Sequence, residues 1–478
     1  MESGTEPFAL GRVPGLRKPR RGDLIEVAIE RLDARGRPRA RYADDSGEFG
    51  AVLRAGVPGQ RVRARVLKRR GAKLDCGVVE VLERAPGELE PRCAHFGICG
   101  GCSYQNLAYP TQLEHKRAMV VEALARAGLE VEPCRGAADP WRYRNKMDFT
   151  FSARRWVEAH EPAGARQGFA LGLHPSGQFR RVLDVAECAI QSDAANAILA
   201  SARRLALAQG LTPWNIQEHH GLLRHLVLRR TSGGEVLVNL VTSEETPELV
   251  PPYAAALVAA HPEITTLVHT VNERTAQTAV GQREVVLHGP GTIVETLRGV
   301  RFAISAGSFF QTNTAQAEAL LGMVIEEARL EAADVLHDLY CGAGAIALAC
   351  ASRVREVWGF ELVEAAVRDA RRNAAANGIE NARFVAGDVA AELVRPSVPA
   401  ADVCVVDPPR AGLHPTVLEA LGAARSRRVV YVSCNPRAAA GDVGALAAKG
   451  LRLVRVRPLD LFPHTPHVEC VLTLERPG

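Results

Sequence analysis

The chain has 478 residues, 47% hydrophobic and 24% charged, with a formal net charge of +5. That length exceeds one ordinary core and suggests about three domains of soluble globular type. No apolar run approaches a membrane span, Met-Glu-Ser-Gly-Thr-Glu at the start lacks the pattern of a secretory signal, and eleven cysteines without such a signal do not read as a disulfide framework; a cytoplasmic protein with no membrane partner is expected.

Residues 1–16 are expected as a flexible N-terminus. From Arg17 to Glu83 there are 17 Lys/Arg against 10 Asp/Glu, an excess of +7 that leaves about −2 for the rest of the chain. A basic module joined to a near-neutral body suggests a nucleic-acid-guiding domain, the plainer alternative being a soluble Arg-rich face. The same stretch holds short alternating runs (Asp23–Ile29, Phe49–Leu53, Arg61–Leu67, Cys76–Leu82) divided by Gly, Pro and Asp turns. Period-two alternation predicts a small β-barrel over residues 17–84, with Arg61, Arg63 and Arg65 on one face, where a nucleic-acid backbone could run. The stretch resembles the TRAM domain, an oligonucleotide-binding-type (OB-like) barrel appended to several RNA-modifying enzymes.

A central mixed α/β domain is expected over 85–299. It opens with a turn-rich, cysteine-bearing segment at Pro86–Gly101, followed by a helical pattern over Tyr109–Gly128; segment 109–132 is placed against the catalytic domain. From Val300 to the end, apolar strands alternate with Ala-rich helices, the rhythm of a doubly wound, Rossmann-like parallel sheet over 300–478.

The chemistry-bearing motifs fall at strand ends of this last region. Asp338-Leu-Tyr-Cys341-Gly342-Ala-Gly344 follows a strand and opens a helix, so its glycines let backbone approach a ligand. Glu361 ends the next strand, where an acid accepts hydrogen bonds from ribose hydroxyls, and Asp388 follows the third; together they favour an adenosyl pocket over a dinucleotide one. Asp407-Pro-Pro-Arg410 closes the fourth strand with a rigid turn that can press a flat base against the cofactor. Related loops that bind a target amine carry an aromatic residue where Arg410 stands, which directs the target away from an exocyclic nitrogen.

Ser433-Cys434-Asn435-Pro436 ends the fifth strand. C5 of uracil is a weak nucleophile until a thiolate adds to C6, and afterwards the C5 proton must leave to a base. Cys434 fits the nucleophile. Glu469, in His464-Thr-Pro-His467-Val-Glu469, is the candidate base, with His467 or His464 as alternatives.

These motifs, with Phe309-Phe310-Gln311-Thr-Asn313 before them, resemble the uracil-C5 RNA methyltransferase family in order and over nearly the whole chain. The resemblance implies transfer of a methyl group from S-adenosyl-L-methionine to a uridine, with Gln311, Tyr340, Glu361, Asp388 and Asp407 lining the cofactor pocket, Cys434 as nucleophile and Glu469 as proton acceptor. Ala345 stands where members often carry Asn. Cys93-x5-Cys99-Gly-Gly-Cys102, with Cys188 downstream, has spacing that suits zinc or an iron–sulfur centre, or unligated thiols. It is the resemblance that implies a [4Fe-4S] cluster, in a structural or RNA-shaping role, since the Cys-x3-Cys-x2-Cys triplet of radical enzymes is absent. Barrel and cluster together are similar to the 23S rRNA members, which makes 23S rRNA the expected partner and a monomer the default. The same reaction on tRNA, or a catalytically silent RNA-binding ribosome-assembly factor, are the alternatives.

Overall fold

A computed structural model describes residues 17–33, 36–158, 161, 162, 164 and 167–477; the expectation for residues 1–16 lies outside the described residues. The chain parts into two compact units between Glu88 and Leu89.

In the first unit β1 (Leu24–Leu32), β2 (Pro38–Asp44), β3 (Gly47–Leu53), β4 (Arg61–Arg70) and β5 (Lys73–Glu83) close into a barrel. β3 and β5 are parallel neighbours and the other pairs are antiparallel. Alternation in β4 sends Val62, Ala64 and Val66 into a core with Ile25, Val27, Ile29 and Leu53, and turns Arg61, Arg63 and Arg65 outward. The outward face is less basic than the sequence suggests. Arg61 pairs with Glu26 (2.9 Å) and Glu83 (2.7 Å), and Arg63 with Glu26 (2.9 Å) and Glu80 (2.6 Å). Strand pairing brings these carboxylates alongside the arginines, so their charge is balanced locally.

Among the described residues the second unit holds two large sheets and a two-stranded one. The first has eight strands: β6 (Lys146–Ser152), β7 (Arg155–Trp156), β8 (Ala170–Leu173), β9 (Val182–Asp184), β10 (Leu223–Arg230), β11 (Val236–Thr242), β12 (Ile264–Val271) and β13 (Arg283–His288). Two helices precede the catalytic region here, taken with α1 (Tyr109–Leu124) as α2 (Asp193–Ala208) and α3 (Val250–Ala260). Ile198 and Leu199 of α2 and Tyr253 and Leu257 of α3 share a core with Phe149, Leu226 and Leu240 of this sheet. A hairpin, β14 (Thr292–Leu297) and β15 (Val300–Ser305), leads out of it.

There follow α4 (Thr314–Ala328), β16 (Val335–Leu339), α5 (Ala345–Cys350), β17 (Glu356–Glu361), α6 (Glu364–Ala376), β18 (Ala382–Ala386), α7 (Val389–Leu393), β19 (Val403–Val406), α8 (Pro415–Ala423), β20 (Arg428–Ser433), α9 (Pro436–Ala447), β21 (Arg452–Leu459) and β22 (Glu469–Glu475). The strands form one sheet in the order β18-β17-β16-β19-β20-β22-β21, parallel except for β22, which runs against both β20 and β21. Winding goes outward from β16 to β18, then restarts on the other side of β16 at β19. Ligands of such sheets bind at that switch, beyond the carboxyl ends of the strands. No described helix is long and apolar enough to cross a membrane.

Helix α1 joins this second sheet's layer: Met119, Val120 and Leu124 share a core with Val443 and Leu446 of α9. Its polar side is buried as well. Lys116 Nζ lies 2.5 Å from Asp460 Oδ1, both fully buried, and Asp460 also accepts from the Tyr109 hydroxyl (2.9 Å) and the Phe462 amide (3.1 Å). Removing one charge leaves the other buried and uncompensated, which costs about 3–5 kcal/mol. Asp460→Ala should therefore lower unfolding stability in urea by about that amount, and the double variant Lys116→Met/Asp460→Leu should lose less than the single one. Equal losses would show that the pairing is not what stabilises this position.

Candidate active site

The carboxyl ends of five parallel strands deliver Asp338 and Tyr340 (β16), Glu361 (β17), Asp388 (β18), Asp407 (β19) and Cys434 (β20) to one edge. After β16 the Tyr340 and Cys341 amides still donate to Phe360 O (2.9 and 3.1 Å), and the chain then turns through Gly342 (φ +55°) and Gly344 (φ +85°) into α5. A Cβ on Gly344 would lie 3.0 Å from the Phe384 ring, so glycine lets the turn lie against β18. Tyr340 itself sits at φ +65°, a conformation that costs a non-glycine residue on the order of 1 kcal/mol or more. Glu361 accepts the Gly342 amide (3.2 Å) on one oxygen and the Val363 amide (2.8 Å) on the other, and Asp388 caps α7 through the Ala391 amide (3.1 Å). Gln311 is half-buried on a segment pinned from both sides. Its carbonyl accepts from Asn145 (3.0 Å), while Asn313 caps α4 through the Gln316 amide (3.2 Å) and donates to Leu461 O (3.1 Å).

Sequence reasoning quoted Asp338 as the start of the glycine-rich motif and gave it no role of its own. It is fully buried, one oxygen accepts the Ala347 amide (2.8 Å), and the other has no hydrogen-bond partner among the described residues. Burial, reinforced by Asp407 and Glu361, pushes its carboxyl up to about 8. An acid inside the fully buried strand Val335–Leu339, next to His337, was the available signal.

Cys434 and Glu469 occupy adjoining strand ends. β20 and β22 are antiparallel with Ser433 opposite Cys470, so Cys434 leaves one strand where Glu469 enters its neighbour. Asn435 Nδ2 donates to Arg410 O (2.8 Å), tying the Asp407–Arg410 loop to the cysteine turn, and Asp442 of α9 anchors the same loop through the Leu413 amide (2.8 Å) and the Tyr431 hydroxyl (2.6 Å). Gly412, at φ +91°, leaves room for that carboxylate: a Cβ there would approach Asp442 Oδ2 to 2.8 Å. Burial, then the charge of Asp407, raises Glu469 to about 8, with exposed Arg410 opposing. Burial lifts Asp407 to about 6. Half-buried Cys434 is raised by burial and by Glu469 and Asp407, again with Arg410 opposing. Burial holds His467 and His464 down to about 4, His467 further lowered by Arg410 and His464 by Lys116, so both are neutral at pH 7. His464 is taken up in packing: its Nδ1 contacts Gln112 (3.2 Å) and its ring stacks on Trp141.

The four singled-out cysteines are unpaired and gather in one region, since Cys99, Cys102 and Cys188 each feel the charge of Cys93. Burial pushes Cys99 up to about 11 and Cys102 up to about 12, and also raises Cys188. A hydrogen-bond donor reaches one of the sulfurs, the Gly101 amide on Cys99 (3.4 Å), and the Gln191 amide donates to the Cys188 carbonyl (3.3 Å). Among the described residues no three His, Cys, Asp or Glu donors are placed to hold a metal ion.

Residues 292–398 and 397–477 match the tRNA (uracil-5-)-methyltransferase family. An RNA methyltransferase of Chlorobaculum tepidum is 37% identical over 472 residues, covering 96% of this chain and 97% of its own. One from Caldanaerobacter subterraneus is 38% identical over 465 residues, covering 95% and 99%. The chain belongs to the S-adenosylmethionine-dependent RNA uracil-C5 methyltransferase family. Its fold is similar to the crystal structure of Pyrococcus abyssi tRNA (uracil-54, C5)-methyltransferase in complex with S-adenosyl-L-homocysteine, at 28% identity and a TM-score of 0.73, over 94% of this chain and 100% of that one.

The raised carboxyls of this methyltransferase link its stability to pH. Asp338 and Glu469 ionise near 8 in the folded chain against ordinary values of 3.8 and 4.5, so ionisation favours the unfolded chain: the cost is absent at low pH and grows until pH passes the folded value. Buried His337, His464 and His467, held near 4, act oppositely below 6.5, leaving the carboxyl effect clearest from pH 6.5 to 8. Thermal unfolding across that window should show stability falling as pH rises, with a shallower fall in Glu469→Gln. Parallel slopes for the two proteins would contradict the assignment.

Proposed function

We propose that the protein methylates C5 of a uridine in RNA through a covalent adduct of Cys434. The observation that carries this reading is the placement of Cys434 and Glu469 at adjoining ends of β20 and β22, beside the Asp407–Arg410 loop. S-adenosylmethionine supplies the electrophilic methyl group. The unpartnered oxygen of Asp338 and the tight turn at Gly342–Gly344 fit its binding, with Gln311, Tyr340, Glu361, Asp388 and Asp407 as the remaining contacts.

Cys434 loses its proton to solvent and the thiolate sulfur bonds to C6 of the ring, breaking the C5–C6 double bond and moving its electron pair to C5. C5 takes the methyl group as the bond from methyl to sulfonium breaks. The Glu469 carboxylate then accepts the C5 proton, the C5–C6 double bond re-forms, and the Cys434 sulfur leaves. A base near 8 is poised close to working pH, strong enough to take a carbon-bound proton at the cost of being mostly protonated at neutrality. His467, neutral and on the same segment, is left to orient the base or the ring.

The target must be flipped out of its stack to meet a thiolate. We place it in 23S rRNA, on the TRAM-like barrel and the four cysteines, in a cytoplasmic, monomeric enzyme. Cys93, Cys99, Cys102 and Cys188 would hold a [4Fe-4S] cluster that ties their loop together. Support for it comes from their gathering and from the Gly101 amide aimed at Cys99 Sγ, a donor that stabilises a thiolate. A tRNA target is the second reading, favoured by the match to the Pyrococcus abyssi tRNA enzyme over 94% of this chain.

Cys434→Ala should bind S-adenosylmethionine yet transfer no methyl group, and 5-fluorouridine RNA should trap a denaturant-stable adduct with the wild type only; full activity of the variant would contradict the nucleophile. The apparent rate should rise with pH towards about 8 as Glu469 ionises. Mass-spectrometric mapping of rRNA and tRNA from a strain lacking the protein separates the two targets, since only the true one loses a 5-methyluridine. For the cysteine site, iron and sulfide analysis of anaerobically purified protein should find both, and stoichiometric zinc without iron would overturn the cluster.

A further inference from the structure

Between Leu459 and Glu469 the chain crosses from β21 to β22, and what fixes this crossing comes from distant sequence. Gln112 of α1, fully buried, donates from Nε2 to Tyr104 O and Leu107 O (both 2.9 Å), lies 3.2 Å from His464 Nδ1, and accepts the His464 amide on its own oxygen (3.0 Å). The His464 carbonyl accepts two amides, Ser103 (2.8 Å) and Tyr104 (3.0 Å), directly after Cys102. The imidazole stacks on Trp141 with ring centres 3.9 Å apart, and the Tyr143 hydroxyl donates to Pro463 O (3.0 Å). All this holds His464 at φ +65°, a conformation that a bulky residue keeps only when its surroundings over-determine it.

None of these groups stands among the strand ends that form the candidate site. They act on where the chain enters β22, whose first residue is Glu469. Cys434 follows β20, which pairs with β22 on one side and with β19 on the other, and Asn435 on Arg410 gives its turn a further hold that Glu469 does not share. A disturbance at His464, on the segment that leads directly into Glu469, therefore acts on the base first, while β19 and the Arg410 tie still hold Cys434.

We propose that Gln112 and His464 are positioning residues for the C5-proton step: their junction sets Glu469 against the ring after methyl transfer. This rests on the reaction proposed above. The Gln112 side chain is fully bonded, while among the described residues His464 Nε2 has no hydrogen-bond partner and its ring is held through Nδ1 and packing on Trp141. A misplacement of about 1 Å at a reacting group can cost on the order of 100-fold in rate.

The test uses Gln112→Met, close in volume but without the hydrogen bonds, in the full chain with ordinary uridine RNA. Single-turnover methyl transfer should stay within a few-fold of the wild type. Resolution of the methylated covalent adduct, followed on a denaturing gel, should slow by about 100-fold, so that the adduct accumulates. His464→Asn, which tolerates positive φ and keeps an acceptor, should resolve the adduct faster than His464→Leu. Wild-type resolution in Gln112→Met, or transfer and resolution falling together with thermal stability, would overturn the proposal. Glu469→Gln is the control: if it accumulates adduct and Gln112→Met does not, the positioning role alone fails, whereas no adduct in Glu469→Gln removes the base assignment beneath it.

Discussion

Carboxyl groups crowded at a water-poor sheet edge are the constraint on which the site depends. Burial raises Asp338, Asp407 and Glu469, and the charge of Asp407 adds to the shift at Asp338 and Glu469, so those two favour carrying protons at neutrality in the free protein. Arg410 is the cation that opposes this at both Glu469 and Cys434. The proposed cosubstrate brings a sulfonium and an ammonium, the charges such an edge attracts, and its arrival would favour the ionised forms that the chemistry needs.

That edge is kept in order by parts of the chain outside the catalytic sheet. Helix α1 reaches the β21–β22 crossing through Gln112 and Lys116, and Asn145 and Asn313 hold the Gln311 segment from opposite sides. Residues 89–478 accordingly form one compact unit, in which the first sheet and the segment before it help to build a site on the second.

What the sequence disclosed follows from how strand ends are punctuated. Glycines, prolines and acids after apolar runs located every loop at the sheet's edge, and period-two alternation located the barrel. β2 escaped because Pro38-Arg-Ala-Arg-Tyr-Ala-Asp carries too few apolar residues to mark a strand; pairing on both sides makes it one. Ion pairing of Arg61 and Arg63 depends on cross-strand register, which composition does not encode. Asp338 was read as the start of a loop, though its buried oxygens belong to the strand. The junction of Gln112 and His464 joins residues far apart in the chain; Gln112 belongs to no motif, and His464 stood out only as an alternative base beside Glu469. The cysteine spacing was legible, but whether four sulfurs close on a centre is a matter of tertiary distances.

The account turns on chemistry at C5 coupled to loss of the proton there, and release of tritium from RNA carrying [5-³H]uridine measures that coupling directly. Tritium should appear in water in step with methyl incorporation, one for one, and neither should occur with Cys434→Ala. Methyl incorporation without tritium release would place the transfer at another atom and contradict the account.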